Sequence, residues 1–208
     1  MKQPSGHMVK TYDKIAKIFA MTNRDSQFWK QNFLVFKKLI KGRKVLDIGC
    51  GAGRDAELFV KAGFDYTGID FSAGMLGQAR RRVKQAKFLR MDFYNLTFKP
   101  KTFDGFWAAA SLLHIPRYRI RKVLRNIRKI LTDEGIGFIS IKPKTTIDQG
   151  IVTEKKYGAT IKRFFAFYTD KEFQKILKDS DFQVIKHHVL KGEVQDWLCY
   201  LVKKDTIM

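Results

Sequence analysis

Two periods of apolar spacing alternate along this chain, and each change of period marks an element. Lys44–Ile48 is a short apolar run, the pattern of a strand buried on both faces. Arg54–Ala62 has helical spacing and stops at Gly63. Tyr66–Ile69 reads as a second strand, and Ser72 stands where a helix running to about Gln85 needs a cap. Lys87–Met91 is a short strand ending at Asp92, and Phe103–Ala109 is another. Pro116 opens a helix to about Leu131, with Ile120, Val123, Leu124, Ile127 and Leu131 on one face. Gly135 is expected to close that helix, and Ile136–Ile141 to form the next strand. Such β/α alternation predicts an α/β fold, a parallel sheet with helices on both faces.

The two ends break this rhythm. Val9–Ala20 and Ser26–Ile40 are amphipathic helical segments, and Asp170–Asp179 is helical. Phe182–Leu190 and Trp197–Val202 read as strands separated by Lys191-Gly192-Glu193, a short turn that sets them antiparallel. Periodicity is weak between Lys142 and Tyr168, which predicts a long loop leaving the carboxyl end of a strand, where α/β sheets bind ligands. The organisation expected is a helical cap over residues 1–43 and a core over 44–208, with a substrate-side insertion at about 143–168. Gly6-His7-Met8 resembles the scar of a cloning tag, so the first seven residues are left out of the fold reasoning.

Composition narrows the class. The 208 residues are 45% hydrophobic and 29% charged, which suits one soluble domain with a sizeable core. No apolar run approaches the ~20 residues of a membrane span, and the start lacks the apolar stretch of a signal peptide, so a cytoplasmic protein is expected. Cys50 and Cys199 are expected to be reduced, and no Cys/His spacing suggests a metal. His187 and His188 would point to opposite faces of a strand. The formal net charge is +21. The excess gathers in Arg80–Arg90 and Arg117–Lys129, neither of which holds an acid. Such patches admit RNA or another polyanion as a partner. Tyr118 is the one aromatic inside the second cluster, little for base stacking.

The candidate chemistry sits in Val45-Leu46-Asp47-Ile48-Gly49-Cys50-Gly51-Ala52-Gly53, a strand running into a glycine-rich turn. Nineteen residues after Gly51, the second strand ends in Asp70, whose carboxylate could accept from both hydroxyls of a ribose. The pair reads as a nucleoside-cofactor site. Gly51-Ala52-Gly53-x-x-Ala56 formally satisfies a loose dinucleotide fingerprint. Three features weigh against it. Asp47 precedes the turn, a poor neighbour for a pyrophosphate; Asp92 ends the third strand, placed for an adenine amino group; and the sheet closes with an antiparallel hairpin.

Val45–Gly53 resembles motif I of the class I S-adenosylmethionine-dependent methyltransferases. Gly68-Ile69-Asp70-Phe71-Ser72-x-x-Met75 resembles their second motif, Arg90-Met91-Asp92-Phe93 their third, and Phe103-Asp104-Gly105-Phe106-Trp107 their fourth strand. Leu131-x-x-x-Gly135-x-Gly137 resembles the approach to the fifth. The resemblance implies a Rossmann-like, doubly wound seven-stranded sheet and S-adenosyl-L-methionine as cofactor, leaving S-adenosyl-L-homocysteine, with no metal. It places Gly49, Cys50, Gly51 and Gly53 in the turn against the methionine part, with Asp47 holding the ammonium. Asp70 would take the ribose, Phe71 and Met75 would flank the adenine, Asp92 would take its amino group, and Phe93 would lie nearby. The backbone from Ala108 to Ser111 would face the sulfonium.

The same resemblance constrains the acceptor. Ala108–His114 lacks the Asn/Asp-Pro-Pro-Tyr/Phe sequence of adenine-N6 and glutamine methylation, the paired glutamates of arginine methylation and the thiolate of cytosine-C5 chemistry. What remains is methyl transfer to O, N or S of a small molecule, with an RNA enzyme or RNA-binding relative as the alternative. His114 is the candidate base or acceptor contact. Arg163, beside Phe164 and Phe165, and Tyr168 are candidate substrate contacts, and Tyr12 is placed to close over the site. A monomer or weak homodimer is expected.

Overall fold

The computed structural model describes residues 5–192 and 194–205. The chain opens with α1 (Ser5–Thr22), a 3-10 turn (Ser26–Trp29) and α2 (Lys30–Leu39). Then come β1 (Lys44–Ile48), α3 (Ala56–Lys61), β2 (Asp65–Asp70), α4 (Ala73–Arg82), β3 (Lys87–Arg90) and β4 (Phe103–Ala109). A 3-10 turn (Leu112–His114) leads to α5 (Ile120–Ile130), β5 (Leu131–Ile141), β6 (Gln149–Lys156), β7 (Ala159–Ala166), α6 (Asp170–Lys178), β8 (Phe182–Leu190) and β9 (Trp197–Lys204). Seven strands form one sheet in the order β3-β2-β1-β4-β5-β9-β8, with β9 antiparallel to both neighbours. The strand order reverses between β1 and β4, and such a reversal opens a crevice at the carboxyl ends of the strands.

Apolar side chains cover both faces of the sheet. One layer holds Leu46, Ile48, Phe106, Leu124 and Phe173, and the other Phe36, Phe59, Trp107 and Phe138. Trp107 stacks on Phe138 with ring centroids 4.1 Å apart. Ser72 caps α4, its Oγ accepting from the Met75 N–H at 3.1 Å, as its position in the sequence implied.

Three expectations are corrected. Gly135 does not close α5; the helix ends at Ile130 and β5 starts at Leu131, so Gly135 lies inside the strand. The register against β4 slips between Phe103 and Gly105. A Cβ at Gly135 would stand 2.8 Å from Leu131 Cβ, so the glycine serves the irregularity rather than a helix end. The weakly periodic stretch after Lys142 is a hairpin, not a loop: β6 and β7 pair from Gln149↔Ala166 to Lys156↔Ala159. Tyr157 (φ 56°) and Gly158 (φ 70°) make its two-residue turn. α1 begins at Ser5, ahead of the expected start at Val9, and its Met8 is buried.

Many arginines of the two basic clusters also bond to the fold at its surface. Arg117 donates to the Phe167 carbonyl and to Glu172, Arg121 to Asp179, Arg125 to the Asp179 carbonyl, and Arg128 to the Asp181 and Asp205 carbonyls. Arg80, Arg82 and Arg90 bind the carbonyls of Phe88, Arg24 and Phe71. These arginines tie α5 to α6 and the closing hairpin, and α4 to its surroundings. Among the described residues, no helix is long and apolar enough to cross a membrane.

Candidate active site

A cavity of about 620 Å³ lies at the carboxyl ends of β1, β2, β4 and β5, under α1, the β6–β7 hairpin and the segment before β9. One wall is built from the ends of the central strands. Gly49 has φ 75°, and a Cβ there would come within 2.5 Å of Ser111 Cβ. Its N–H and that of Cys50 both donate to the Ile69 carbonyl, at 2.8 and 3.0 Å, which folds the turn onto β2. Asp70 accepts from the Gly51 N–H at 3.0 Å through one carboxylate oxygen and from the Ser72 N–H at 2.9 Å through the other. Each oxygen keeps a lone pair for a further donor. Burial pushes the Asp70 carboxyl up to about 6 against the help of those two N–H groups.

Asp47 is 3% exposed and accepts from the Tyr66 hydroxyl at 2.6 Å. Burial first, then the nearby Asp55 charge, raise its pKa well above the usual carboxylate range. Asp55 takes the Arg54 guanidinium in a two-pronged pair at 2.7 and 2.9 Å and the Trp107 indole N–H at 3.0 Å. The wall thus carries Asp47, Asp55 and Asp70 against the single cation Arg54. Two polar atoms beside it are buried without a partner, Ser111 Oγ and Trp29 Nε1. Phe71, Met75 and Phe93 complete the wall. Just past β4, Ala110 holds φ 55°, a conformation rare for a side-chain-bearing residue.

The opposite wall is assembled from distant segments. The His114 Nδ1 lies 2.6 Å from the Phe164 carbonyl, which can only accept, so Nδ1 carries the proton. Nε2 is then the acceptor for the Tyr12 hydroxyl at 2.8 Å. Burial drives the His114 pKa down to about 3, keeping the ring neutral, and drives that of Tyr12 up to about 12. Arg163 donates to the Tyr12 oxygen at 3.4 Å and pairs with Glu154 through both Nε and Nη2. Asp13, one residue beyond Tyr12, accepts from Ser72 Oγ and the Gly74 N–H at 2.6 and 2.8 Å, which pins α1 to the start of α4.

Most residues singled out from the sequence meet in this cavity: Tyr12, Asp47, Gly49, Cys50, Gly51, Asp70, Phe71, Met75, Phe93, Ser111, His114 and Arg163. Four do not line it. Gly53 (φ 75°) turns the chain against α4, where a Cβ would stand 3.0 Å from Ala79. Asp92 spends an oxygen on the Tyr94 N–H at 3.0 Å. Ala108 is wholly buried in the sheet. Tyr168 is wholly buried against Phe173, with the Arg117 guanidinium 4.7 Å from its ring centroid, so it is a core residue rather than a substrate contact.

A family model described as a methyltransferase domain matches residues 45–135. A demethylmenaquinone methyltransferase of Thermotoga maritima is 29% identical over 148 residues, 67% of this chain and 64% of the relative. A trans-aconitate 2-methyltransferase of Rhodopseudomonas palustris is 33% identical over 110 residues, 51% of this chain and 40% of the relative. The fold matches the Burkholderia thailandensis 1,6-didemethyltoxoflavin-N1-methyltransferase with a TM-score of 0.76 at 18% identity, over 99% of this chain and 92% of that one.

Residues 45–135 match a methyltransferase domain, on a fold shared with solved S-adenosylmethionine-dependent methyltransferases.

The chain spans less than two thirds of the length of the two curated relatives named above. Several residues of the cavity were missed in the sequence. Lys142 directly follows β5 and lines the cavity; its place at a strand's carboxyl end was a usable signal. Arg54 and Asp55 sit inside the glycine turn and were legible as a pair of opposite charges. Asp13 and Glu154 carried no signal, because their partners lie 59 and 9 residues away on other elements.

Proposed function

We propose that the chain is a methyltransferase that binds S-adenosylmethionine on the acidic wall and passes its methyl group to a small molecule held on the wall of Tyr12, His114 and Lys142. The observation that carries this reading is Asp70. It ties the glycine turn to α4 and keeps one lone pair on each oxygen, the arrangement a ribose diol needs.

The chemistry of the wall suits that cofactor. Asp47, Asp55 and Asp70 outnumber Arg54; burial holds Asp47 toward its neutral form in the empty site, and a ligand ammonium beside it would favour the carboxylate. The space a Cβ at Gly49 would fill, with the unpartnered Ser111 Oγ and Trp29 Nε1 beside it, suits the methionine end. Phe71 and Phe93, with ring centroids 6.2 Å apart, offer apolar contact for adenine. Asp92 is left out of this set.

When bound, S-adenosylmethionine supplies a methyl already activated by its positive sulfur. The residues around it therefore work mainly by holding the acceptor aligned. Tyr12 keeps its proton on the His114 side, so its oxygen faces Arg163 with a lone pair free to accept a hydrogen bond from an acceptor hydroxyl or amine. His114 is a positioning residue rather than a free base: Phe164 and Tyr12 occupy both its nitrogens. The RNA alternative is not favoured by the site, although the exposed arginines of the two clusters keep their charge.

Titration calorimetry with S-adenosylmethionine and S-adenosylhomocysteine tests the reading. Saturable binding is expected, with Asp70→Ala weakening it at least about tenfold by removing charge-assisted hydrogen bonds. Failure to bind either compound at millimolar levels would overturn it. Radiolabelled methyl transfer to a metabolite extract, set beside total RNA, then tests the acceptor class.

A further inference from the structure

Arg163 is the residue that sequence alone offers to an acidic acceptor, yet its guanidinium already has a counter-charge in Glu154. Lys142 does not. Its side chain follows the end of β5 and enters the same cavity, and its ammonium lies 4.0 Å from the centroid of the Phe165 ring. Among the described residues, none of the ion pairs within 4.0 Å includes it; Glu154, the one carboxylate acting on it, is committed to Arg163. Burial, opposed by Glu154 and aided by Arg163 and Lys156, pushes its pKa down to about 8. A half-buried ammonium over an aromatic ring, short of counter-charge, is costly in the empty site and is compensated when an anion arrives.

We infer that Lys142 anchors an oxyanion of the methyl acceptor, a carboxylate or a phosphate, with the acceptor's apolar body against Phe165 and Leu113. This deepens the proposed function and rests on it. The apolar partners come from β7 and from the turn after β4, and both line the cavity beside His114. The anchor therefore sits on the acceptor side, apart from the carboxylates of the other wall. The cation count supports the assignment: Lys142, Lys156 and Arg163 line this side with Glu154 as the single acid. A neutral or cationic acceptor would leave that excess uncompensated.

The test uses the full chain loaded with S-adenosylhomocysteine and three probes in calorimetry: benzoate, phenyl phosphate and the uncharged benzamide. At least one anion is expected to bind about tenfold or more tightly than benzamide, the scale of one well-placed ion pair. The stronger anion shows which oxyanion the pocket prefers. Lys142→Met, close in length and apolar, is expected to erase that preference while leaving S-adenosylhomocysteine affinity within about twofold and the melting temperature no lower. A merely structural lysine would lower the melting temperature and leave the preference in place. Equal binding of all three probes, binding of none, or a preference that survives Lys142→Met would overturn the inference. Loss of S-adenosylhomocysteine binding by the unmutated chain would instead bring down the cofactor reading beneath it.

Discussion

The two walls of the cavity are made in different ways. The acidic wall comes mostly from one stretch, Asp47 to Met75, and works through strand ends, glycine geometry and backbone N–H groups. The opposite wall draws Tyr12, His114, Lys142, Glu154 and Arg163 from five separate places and works mainly through side chains, with the Phe164 carbonyl orienting His114. A backbone-built surface leaves few ways to vary without breaking the turn that forms it. A side-chain-built surface can change one residue at a time. The difference teaches that the cofactor half of such a site is tied to the fold, while the acceptor half is a separate choice written into α1, the hairpin and the end of β5.

The harshest way to break this comparison is Gly49→Ala. The residue would hold φ 75° against its preference, about 1–2 kcal/mol, and its Cβ would overlap Ser111. S-adenosylhomocysteine binding is expected to fall by more than about a hundredfold, and the double change with Ser111→Gly should recover part of it. Binding left intact in calorimetry would remove this contact from the cofactor wall.

Asp70 gives a pH test. Its folded-state pKa of about 6 lies above the ordinary aspartate value of 3.8, so the folded apo protein holds this proton more tightly than the unfolded chain does. Its contribution to stability is greatest below the unfolded value and is lost as pH rises through about 6. Ligand affinity runs the other way, because ribose hydroxyls need the carboxylate. S-adenosylhomocysteine is expected to bind about tenfold more tightly near pH 7 than near pH 5, and Asp70→Asn should flatten that profile.

Tyr12→Phe probes the other wall. It leaves His114 Nε2 and the Arg163 guanidinium without their shared partner. Turnover is expected to drop about tenfold to a hundredfold, with S-adenosylhomocysteine affinity within about twofold. A parallel loss of cofactor affinity would move Tyr12 to the acidic wall, where its ring already meets Phe71 at 5.9 Å.

Arg117→Ala should have the smallest effect. Its contacts with the Phe167 carbonyl, Glu172 and the Tyr168 ring hold the start of α6. Melting is expected to fall by about 2–4 °C, the scale of ~1 kcal/mol in a domain of this size, without change in cofactor binding. Weakened RNA retention on filters at low salt, with unaltered melting, would return these arginines to a nucleic-acid surface.

The chain by itself determined the sheet-and-helix alternation, the glycine turn and the Asp70 that faces it. These rest on local spacing, and backbone hydrogen bonds between neighbouring strands carry them directly into the site. It did not determine that residues 149–166 pair as a hairpin, because the strand alternation there is blurred by Lys155, Lys156 and Lys162 and only Tyr157-Gly158 marks the turn. Nor did it show that Asp13 locks α1 onto α4, that Tyr168 packs inward, or that Arg163 arrives already neutralised while Lys142 does not. Only the tertiary structure decided those, since which charge finds a partner depends on segments up to 151 residues apart meeting in space, and neither spacing nor composition along the chain encodes that distance.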